Sequence, residues 1–422
     1  MPGVNWTGAL AAVAVVACTV GASAPAAAQT LVIHAGHLIT EPGKPAANNQ
    51  SVIVTDGKVV AIRDGFVPGD KVIDLRDSWV MPGLIDMHTH VWGQLNLAEP
   101  VGAQISMAFM GRPAYAVLAG LPRVKNLLSY GFTTVRITGD PTSTAYALRD
   151  AINAGVVPGP RMLVSEVQIS VAGGDFDPSQ RELRADLEPY VADRGNCSGV
   201  VECTKVVRLE VRRGADFVKF RQSGLPAFDP TVEMVESKEE AEAIISTAHQ
   251  LHRKVAVHVV GTPAFLQMVI QAGADTIEHG PLDDAAIAMM KARGTAFTPT
   301  LLAAKITHNR FKEVSDSVGK AYRAGVPIIF GTDIGIFPSE RSREEFELLA
   351  EAGMPPAQVL RAATVNAANA LGRGDSLGSI APGKIADIIA MKVDPLTHIG
   401  QLGEPGKVSF VMKDGAVFKD DR

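Results

Sequence analysis

The chain has 422 residues, 46% of them hydrophobic and 20% charged, a globular composition that excludes disorder and collagen-like structure. Forty lysines and arginines against 45 aspartates and glutamates give a net charge of −5, which offers no polycationic surface and argues against nucleic-acid binding. Its length suits one large domain with a smaller one, or about two to three average domains.

The first element is an N-terminal apolar segment that runs from Ala9 to Ala24. It predicts a signal peptide over residues 1–28 with cleavage after Ala28, although its start has no Lys or Arg. Cys18 stands in a lipobox-like run, so attachment as a lipoprotein is the alternative. A membrane anchor is less favoured because a span needs about 20 apolar residues. We expect an exported protein, periplasmic or secreted, without a membrane span.

The two ends of the remaining chain share one pattern, short apolar runs separated by turn residues. Residues 29–81 show it first and residues 376–422 show it again. Asp56-Gly57 and Asp414-Gly415 are typical of hairpin turns between apolar runs. The simplest interpretation is one small β-sandwich built from both chain ends, with the middle of the chain inserted.

The middle of the chain, residues 82–375, alternates strand and helix patterns. The count and size predict an α/β fold of the (β/α)8 TIM-barrel type, which carries its chemistry at the carboxyl ends of the strands. A doubly wound sheet is less favoured because no Gly-rich turn follows the first strand. The predicted strands are Leu84–His88, Thr133–Ile137, Met162–Ile169, Phe217–Phe220, Val255–Val259, Thr276–His279, Ala296–Pro299 and Ile328–Asp333. The predicted helices include Glu239–Arg253, Pro263–Ala272, Asp284–Arg293 and Pro356–Leu371.

Four histidines and an aspartate stand at the ends of these predicted strands. His88 and His90 are two residues apart, so both imidazoles point the same way and can reach one ion. His258, His279 and Asp333 end three later strands, and a barrel would bring all five groups to one mouth. Neutral imidazole and carboxylate are the ligands of zinc and similar divalent ions. The sequence therefore predicts a metal site.

Lys219 is a lysine inside an apolar predicted strand. Burial would lower the pKa of its amine, and a neutral amine can take up carbon dioxide to become a carbamate that bridges two ions. Any one of these groups alone is as well explained as a core histidine, a snorkelling lysine or a loop cap. Six of them together favour a functional site.

The same residues resemble the amidohydrolase superfamily, and the resemblance extends from Leu31 to Phe418. The motifs that carry it are Pro82–His90, Lys219, His258, His279, Gly331-Thr332-Asp333, Asn366–Gly372 and Gly378–Asp387. Within the superfamily the chain is most similar to exported binuclear members related to imidazolonepropionase, Xaa-Pro dipeptidase and ochratoxin-type amide hydrolases.

This resemblance implies a role for each group. His88, His90 and Asp333 would hold one ion, His258 and His279 the other, and carboxylated Lys219 (N6-carboxylysine) would bridge them together with a hydroxide. Asp333 would also be the catalytic residue that passes the hydroxide's proton to the leaving amine. The cofactors would be two divalent metal ions, zinc first, with manganese, cobalt and iron tolerated by the same ligands, and carbon dioxide as the lysine carbamate.

Three further side chains are candidates for substrate binding. Arg221 and Arg341 follow predicted strands, and either could bind a substrate carboxylate, although a solvated loop charge explains each as well. His308 could also enter the barrel mouth. Separately, Cys197 and Cys203 flank a short polar stretch, and in an oxidising compartment a disulfide between them is predicted, with two free thiols as the alternative.

The function expected from the sequence is metal-dependent hydrolysis of an amide bond in a dipeptide or an N-acyl amino acid, with ochratoxin-like amides included. The partner is then a small-molecule amide or peptide, and the protein could form a homo-oligomer. One alternative is a cyclic-amide or ring C–N hydrolase, or a deaminase; deaminases of this superfamily commonly lack the lysine that stands here at Lys219. A non-catalytic metal-binding scaffold would be expected to lose ligands, whereas all six positions are filled.

Overall fold

The computed structural model describes residues 30–91, 113–140, 144–173, 195–221, 234–260, 262–307 and 310–422. The predicted signal peptide and His308 lie outside the described residues. Within those ranges the chain mixes strands and helices, so the predicted α/β class is confirmed. None of the helices described is both long enough and apolar enough to span a bilayer.

The strands, in chain order, are β1 (Leu31–Leu38), β2 (Ala47–Thr55), β3 (Lys58–Asp64), β4 (Lys71–Pro82), β5 (Leu84–Thr89), β6 (Phe132–Thr138), β7 (Arg161–Ser165), β8 (Gln168–Val171), β9 (Asn196–Cys197), β10 (Val218–Arg221), β11 (Val255–Val259), β12 (Thr276–His279), β13 (Ala296–Thr298), β14 (Ile388–Met391), β15 (Val408–Lys413) and β16 (Ala416–Asp420). The α-helices are α1 (Pro113–Ser129), α2 (Thr144–Asn153), α3 (Gly199–Arg213), α4 (Lys238–Gln250), α5 (Pro263–Ala272), α6 (Asp284–Arg293), α7 (Leu301–Ile306), α8 (Phe311–Ala324), α9 (Arg343–Glu351), α10 (Pro356–Arg361) and α11 (Ala367–Ala370).

Both chain ends contribute to one seven-stranded sheet, in the order β16-β15-β14-β4-β1-β2-β3. Strand β4 joins the two halves because its first part pairs with β1 and its last part with β14, with Val80 paired on both sides. Apolar residues of both ends, among them Ile33, Ile388 and Phe410, pack into one buried cluster. The described strands of the two ends therefore form one continuous sheet, and the small β-sandwich expected from the sequence stays a prediction.

The middle of the chain forms two parallel sheets, β5-β6-β7 and β13-β12-β11-β10-β8-β9. Helices follow most of these strands, as expected of β/α units. The predicted strand Ile328–Asp333 is not a regular strand in the structure, although it lies between the two sheets. Its Ile329 N–H donates to Phe297 O at 2.9 Å, and its Phe330 carbonyl accepts from Met87 N at 2.9 Å. The described strands of the middle of the chain thus form two sheets, and this segment links them by hydrogen bonds without being a regular strand of either.

The irregularity of that segment has a local cause. The Phe330 N–H donates to the Ala362 carbonyl, at 3.1 Å, instead of to a neighbouring strand. Asp333 has a left-handed backbone with φ of 63°, which ends any extended conformation. Ala362 also begins an interruption of the predicted helix Pro356–Leu371. Ala362–Asn366 form a π-helical turn between α10 and α11.

The predicted strand Met162–Ile169 is also divided, into β7 and β8. The carboxylate of Glu210 accepts hydrogen bonds from Glu166 N at 2.9 Å and from Val167 N at 3.1 Å. A buried side chain from α3 therefore satisfies two N–H groups that a strand would give to a neighbour. Of the predicted helices, α5 and α6 have the predicted bounds, and α4 begins one residue early, after a Ser237–Glu240 capping box.

Candidate metal centre

The structure brings the five predicted strand-end side chains together. One donor atom each of His88, His279 and Asp333 lie within 4.8 Å of one another. The Nε2 atom of His90 is 3.1 Å from Asp333 Oδ1, and Nε2 of His88 is 3.5 Å from the same oxygen. The rings of His258 and His279 have centroids 4.3 Å apart. These distances define a cluster of imidazole and carboxylate donors at the carboxyl ends of the parallel strands.

Asp86 and Gly331 hold the two chain segments of this cluster against each other. The buried carboxylate of Asp86 accepts hydrogen bonds from His88 N at 3.0 Å and from both N and Oγ1 of Thr332, at 3.1 and 2.6 Å. Burial raises the pKa of Asp86 to about 7. A Cβ on Gly331 would lie 2.9 Å from Cβ of His88 and 2.4 Å from Cγ2 of Thr298, so only glycine permits this approach.

The second ring nitrogen of three of the histidines is hydrogen-bonded. Nδ1 of His88 donates to Glu278 Oε2 at 2.7 Å, and Nδ1 of His90 donates to the Gly139 carbonyl at 2.7 Å. Nδ1 of His279 lies 2.7 Å from Thr300 Oγ1. For His88 and His90 these acceptors place the ring proton on Nδ1, which leaves the lone pair of Nε2 facing Asp333. Outer contacts of this kind fix the orientation and tautomer of metal-binding histidines.

Glu278 is itself held by Arg136, and neither residue was singled out from the sequence. Nη2 of Arg136 donates to Glu278 Oε1 at 2.6 Å, and its Nε donates to the Met87 carbonyl at 2.6 Å. Burial acts to raise the pKa of Glu278, but Arg136 and His88 outweigh it and hold that pKa well below its usual range. The one sequence signal for this pair, and for Asp86, is a charged residue inside an apolar strand.

Three of the histidines (His88, His258 and His279) and Asp333 are in the protonation states that binding of a cation needs. Burial, with the Lys219 amine next, lowers the pKa of His88 to about 4, and burial lowers the pKa of His258 and His279 well below its usual value. Burial acts to raise the pKa of Asp333, but the neighbouring imidazoles, His88 first, hold it well below the ordinary range. At neutral pH the imidazoles of His88, His258 and His279 are therefore neutral beside the carboxylate of Asp333, which is a ligand set for zinc-like ions.

Lys219 is buried beside this cluster, with 1% of its surface exposed. Among the described residues its Nζ atom has no hydrogen-bond partner. Burial lowers the pKa of the amine to about 7, with Glu278 opposing and Arg136 adding to the decrease. A buried polar atom without a partner costs free energy, so the amine fits a group that reacts with or binds something further.

The remaining predicted residues differ in their surroundings. Arg221 ends β10, and its Nη1 donates to Gln168 Oε1 at 3.2 Å. Arg341 donates from Nε and Nη2 to the two carboxylate oxygens of Glu344, at 2.6 and 2.8 Å. Cys197 and Cys203 are joined as a disulfide.

The parallel strands and this donor cluster define an α/β protein of the metal-binding hydrolase type. The chain belongs to the Amidohydrolase family, because the sequence model of that family matches residues 79–418. It is therefore a hydrolase that acts on carbon–nitrogen bonds, and the family predicted from the sequence is confirmed.

The comparisons with individual proteins agree with the family. Ochratoxinase of Aspergillus niger is 28% identical, over 93% of this chain and 87% of its own length. Imidazolonepropionase of Chromobacterium violaceum is 27% identical, over 82% of this chain and 86% of its own. A solved Xaa-Pro dipeptidase, with methionine bound in its active site, superposes with a TM-score of 0.80 and 30% identity over 92% of this chain and 100% of that one.

Proposed function

We propose that the protein is a metal-dependent amidohydrolase that cleaves the amide bond of a dipeptide or an N-acyl amino acid. The observation that carries the proposal is the Lys219 amine, which is buried without a hydrogen-bond partner among the described residues, beside a cluster of imidazole and carboxylate donors. Six side chains would hold two divalent ions, zinc first: His88, His90, Lys219, His258, His279 and Asp333.

The donor set fits such ions in number and in chemistry. The anchored His88 and His90 each present a lone pair at Nε2, and Asp333 supplies a negative charge. The neutral Lys219 amine can add to carbon dioxide, forming an N–C bond and releasing one proton, so that the buried neutral amine becomes the anionic N6-carboxylysine. When bound, two ions would polarise an amide carbonyl and make water acidic enough to react near neutral pH.

Asp333 is the proposed catalytic residue. Its carboxylate faces His88 and His90, and its low pKa leaves it ionised and able to accept a proton. In this role it receives a proton from the attacking water and returns it to the leaving amine nitrogen, so the amine departs neutral. The relatives named ochratoxinase and Xaa-Pro dipeptidase support an amide as substrate, and ochratoxin-like amides are included in the proposal.

The rest of the architecture follows from the same proposal. The two parallel sheets, linked through the segment after Pro327, would close as a (β/α)8 barrel over residues 82–375. Residues 29–81 and 376–422 would form the smaller β domain, and residues 1–28 a signal peptide that exports the enzyme. The disulfide between Cys197 and Cys203 supports an oxidising compartment.

The test is a product survey with zinc-loaded protein prepared in bicarbonate. The protein is incubated with pooled dipeptides, N-acyl amino acids and cyclic amides, and the products are read by mass spectrometry. We expect release of free amino acids. Ring-opened products or ammonia alone would move the protein to the cyclic-amide or deaminase alternative, and Lys219→Ala serves as the inactive control.

A further inference from the structure

Arg221 lies on the same strand face as the proposed bridging lysine. It is two residues after Lys219 in β10, so the two side chains point to the same side and their Cα atoms are about 7 Å apart along the strand. In the neighbouring strand its register partner is His258. Its side chain is half-buried. The guanidinium therefore belongs to the mouth of the donor cluster and not to a solvated loop.

The position of the guanidinium is held by two neighbours. Its Nη1 donates to Gln168 Oε1 at 3.2 Å. Gln168 in turn packs against Gly139, where a Cβ would lie 2.4 Å from Gln168 Nε2 and where φ is 126°. The Gly139 carbonyl also accepts the Nδ1 hydrogen of His90. Arg221 is thus tied, through one amide side chain, to the backbone that orients a proposed metal ligand.

A positive charge at this point works against a cation site. Arg221 is the register partner of His258 and follows Lys219 by two residues in β10, so its positive charge lies beside two proposed metal ligands. The same field opposes the binding of metal ions to these groups. An anionic group of the substrate would offset that repulsion when it binds. A guanidinium presents five N–H donors and matches a carboxylate in a two-point contact.

We infer that Arg221, positioned by Gln168, binds the free α-carboxylate of the amino acid on the leaving side of the scissile amide. The inference rests on the proposed amide hydrolysis and assigns to Arg221 the recognition of the free carboxylate that these substrates carry next to the cleaved bond. In such a substrate only three bonds separate the scissile carbonyl carbon from the carboxylate carbon. The enzyme then removes a C-terminal or N-acylated amino acid and discriminates against the same compound with its carboxylate blocked.

The test compares matched pairs of substrates, N-acetyl amino acids and their α-carboxamides, in hydrolysis and in equilibrium binding. With wild-type zinc-loaded protein we expect kcat/KM to be about 10- to 100-fold higher for the free acid. Arg221→Met should remove most of this preference by lowering kcat/KM for the acid, with the carboxamide changed less than threefold. Gln168→Leu should give an intermediate loss because the guanidinium keeps its charge but loses its support. Arg341→Met is the matched control, since Arg341 is paired with Glu344.

The outcomes separate this inference from the proposed function. Hydrolysis of acids and carboxamides at equal rates by the wild type would overturn the role of Arg221 and leave amide hydrolysis standing. An unchanged preference in Arg221→Met, or its loss in Arg341→Met, would also overturn it. If neither the acid nor the carboxamide is hydrolysed, the proposed function is wrong for these compounds. Calorimetry then tests the inference by measuring the equilibrium affinity of the same pairs. Equal affinity of wild type and Arg221→Met for the acid would then reject it.

Discussion

The donor cluster has two kinds of members, which differ in how the protein supports them. His88 and His90 have one ring nitrogen fixed by Glu278 and by the Gly139 carbonyl, so their geometry is set by protein contacts alone. The amine of Lys219 is equally buried, yet within the described residues it has no hydrogen-bond partner. The first group is pre-organised for its ligand. The Lys219 amine is a reactive group, and it gains a bonding partner only when another molecule or ion binds to it.

The largest effect on turnover is expected from removing Lys219, whose amine has no hydrogen-bond partner among the described residues. Lys219→Ala should abolish turnover and reduce the bound metal from two ions to one or none, because the proposed bridge is lost. A short-chain carboxylic acid should partly restore activity by entering the space left by the side chain. Metal content is measured by mass spectrometry of the metals and turnover by amino-acid release.

The matched control for this change is Lys254→Ala, which removes a lysine that is ion-paired with Asp275 on the surface. It should keep both ions and full turnover. Wild-type activity in Lys219→Ala would refute the bridging role of the lysine, and an equal stimulation of the control by the same carboxylic acid would show that the rescue is not specific to the site.

A smaller loss of turnover is expected from changing Asp333, the carboxylate that faces His88 and His90. Asp333→Asn keeps the shape of the side chain but removes the carboxylate that His90 approaches at 3.1 Å. We expect a folded protein with turnover lowered about 100-fold or more, because the amide can no longer accept the proton. The control is Asp284→Asn on an exposed carboxylate paired with Lys320. A rate within a few-fold of wild type would mean that another group acts as the base.

The mildest change removes an outer support and leaves every proposed ligand in place. Glu278→Gln keeps a side chain of the same size but weakens the acceptor of the His88 Nδ1 hydrogen and leaves Arg136 without its carboxylate. We expect about a 10- to 100-fold loss of metal affinity by competition with a chelator, with the fold retained in circular dichroism. Glu313→Gln, on the surface beside Arg310, should change nothing. Unaltered affinity in Glu278→Gln would show that the anchoring of His88 does not matter for metal binding.

The sequence was sufficient for features that depend on local pattern. Strand-end positions alone identified His88, His279 and Asp333, and the structure brings them together. Helices α5 and α6 have their predicted bounds because Pro and Asp begin them and Gly ends them. These are properties of neighbouring residues, which a single chain displays directly.

Features that depend on distant contacts were not predicted. Arg136 and Glu278 are 142 residues apart, and nothing in either segment indicates the other. The predicted strands Met162–Ile169 and Ile328–Asp333 are broken by a carboxylate from α3 and by a carbonyl from the π-helical turn. In each case a polar group from elsewhere replaces the bond that a regular strand would make, and tertiary contact overrides local propensity.

The sheet that joins the two chain ends also has a consequence for how the protein folds. Strand β14 lies against β4, and Lys392 reaches Asp77 across a separation of 315 residues. Contacts between residues so far apart in sequence carry a high loop-closure cost and form slowly. Because β14 is synthesised long after β4, the edge of β4 that pairs with β14 stays open until β14 has been made. The nascent protein must therefore pass through a stage in which that edge is exposed to other chains.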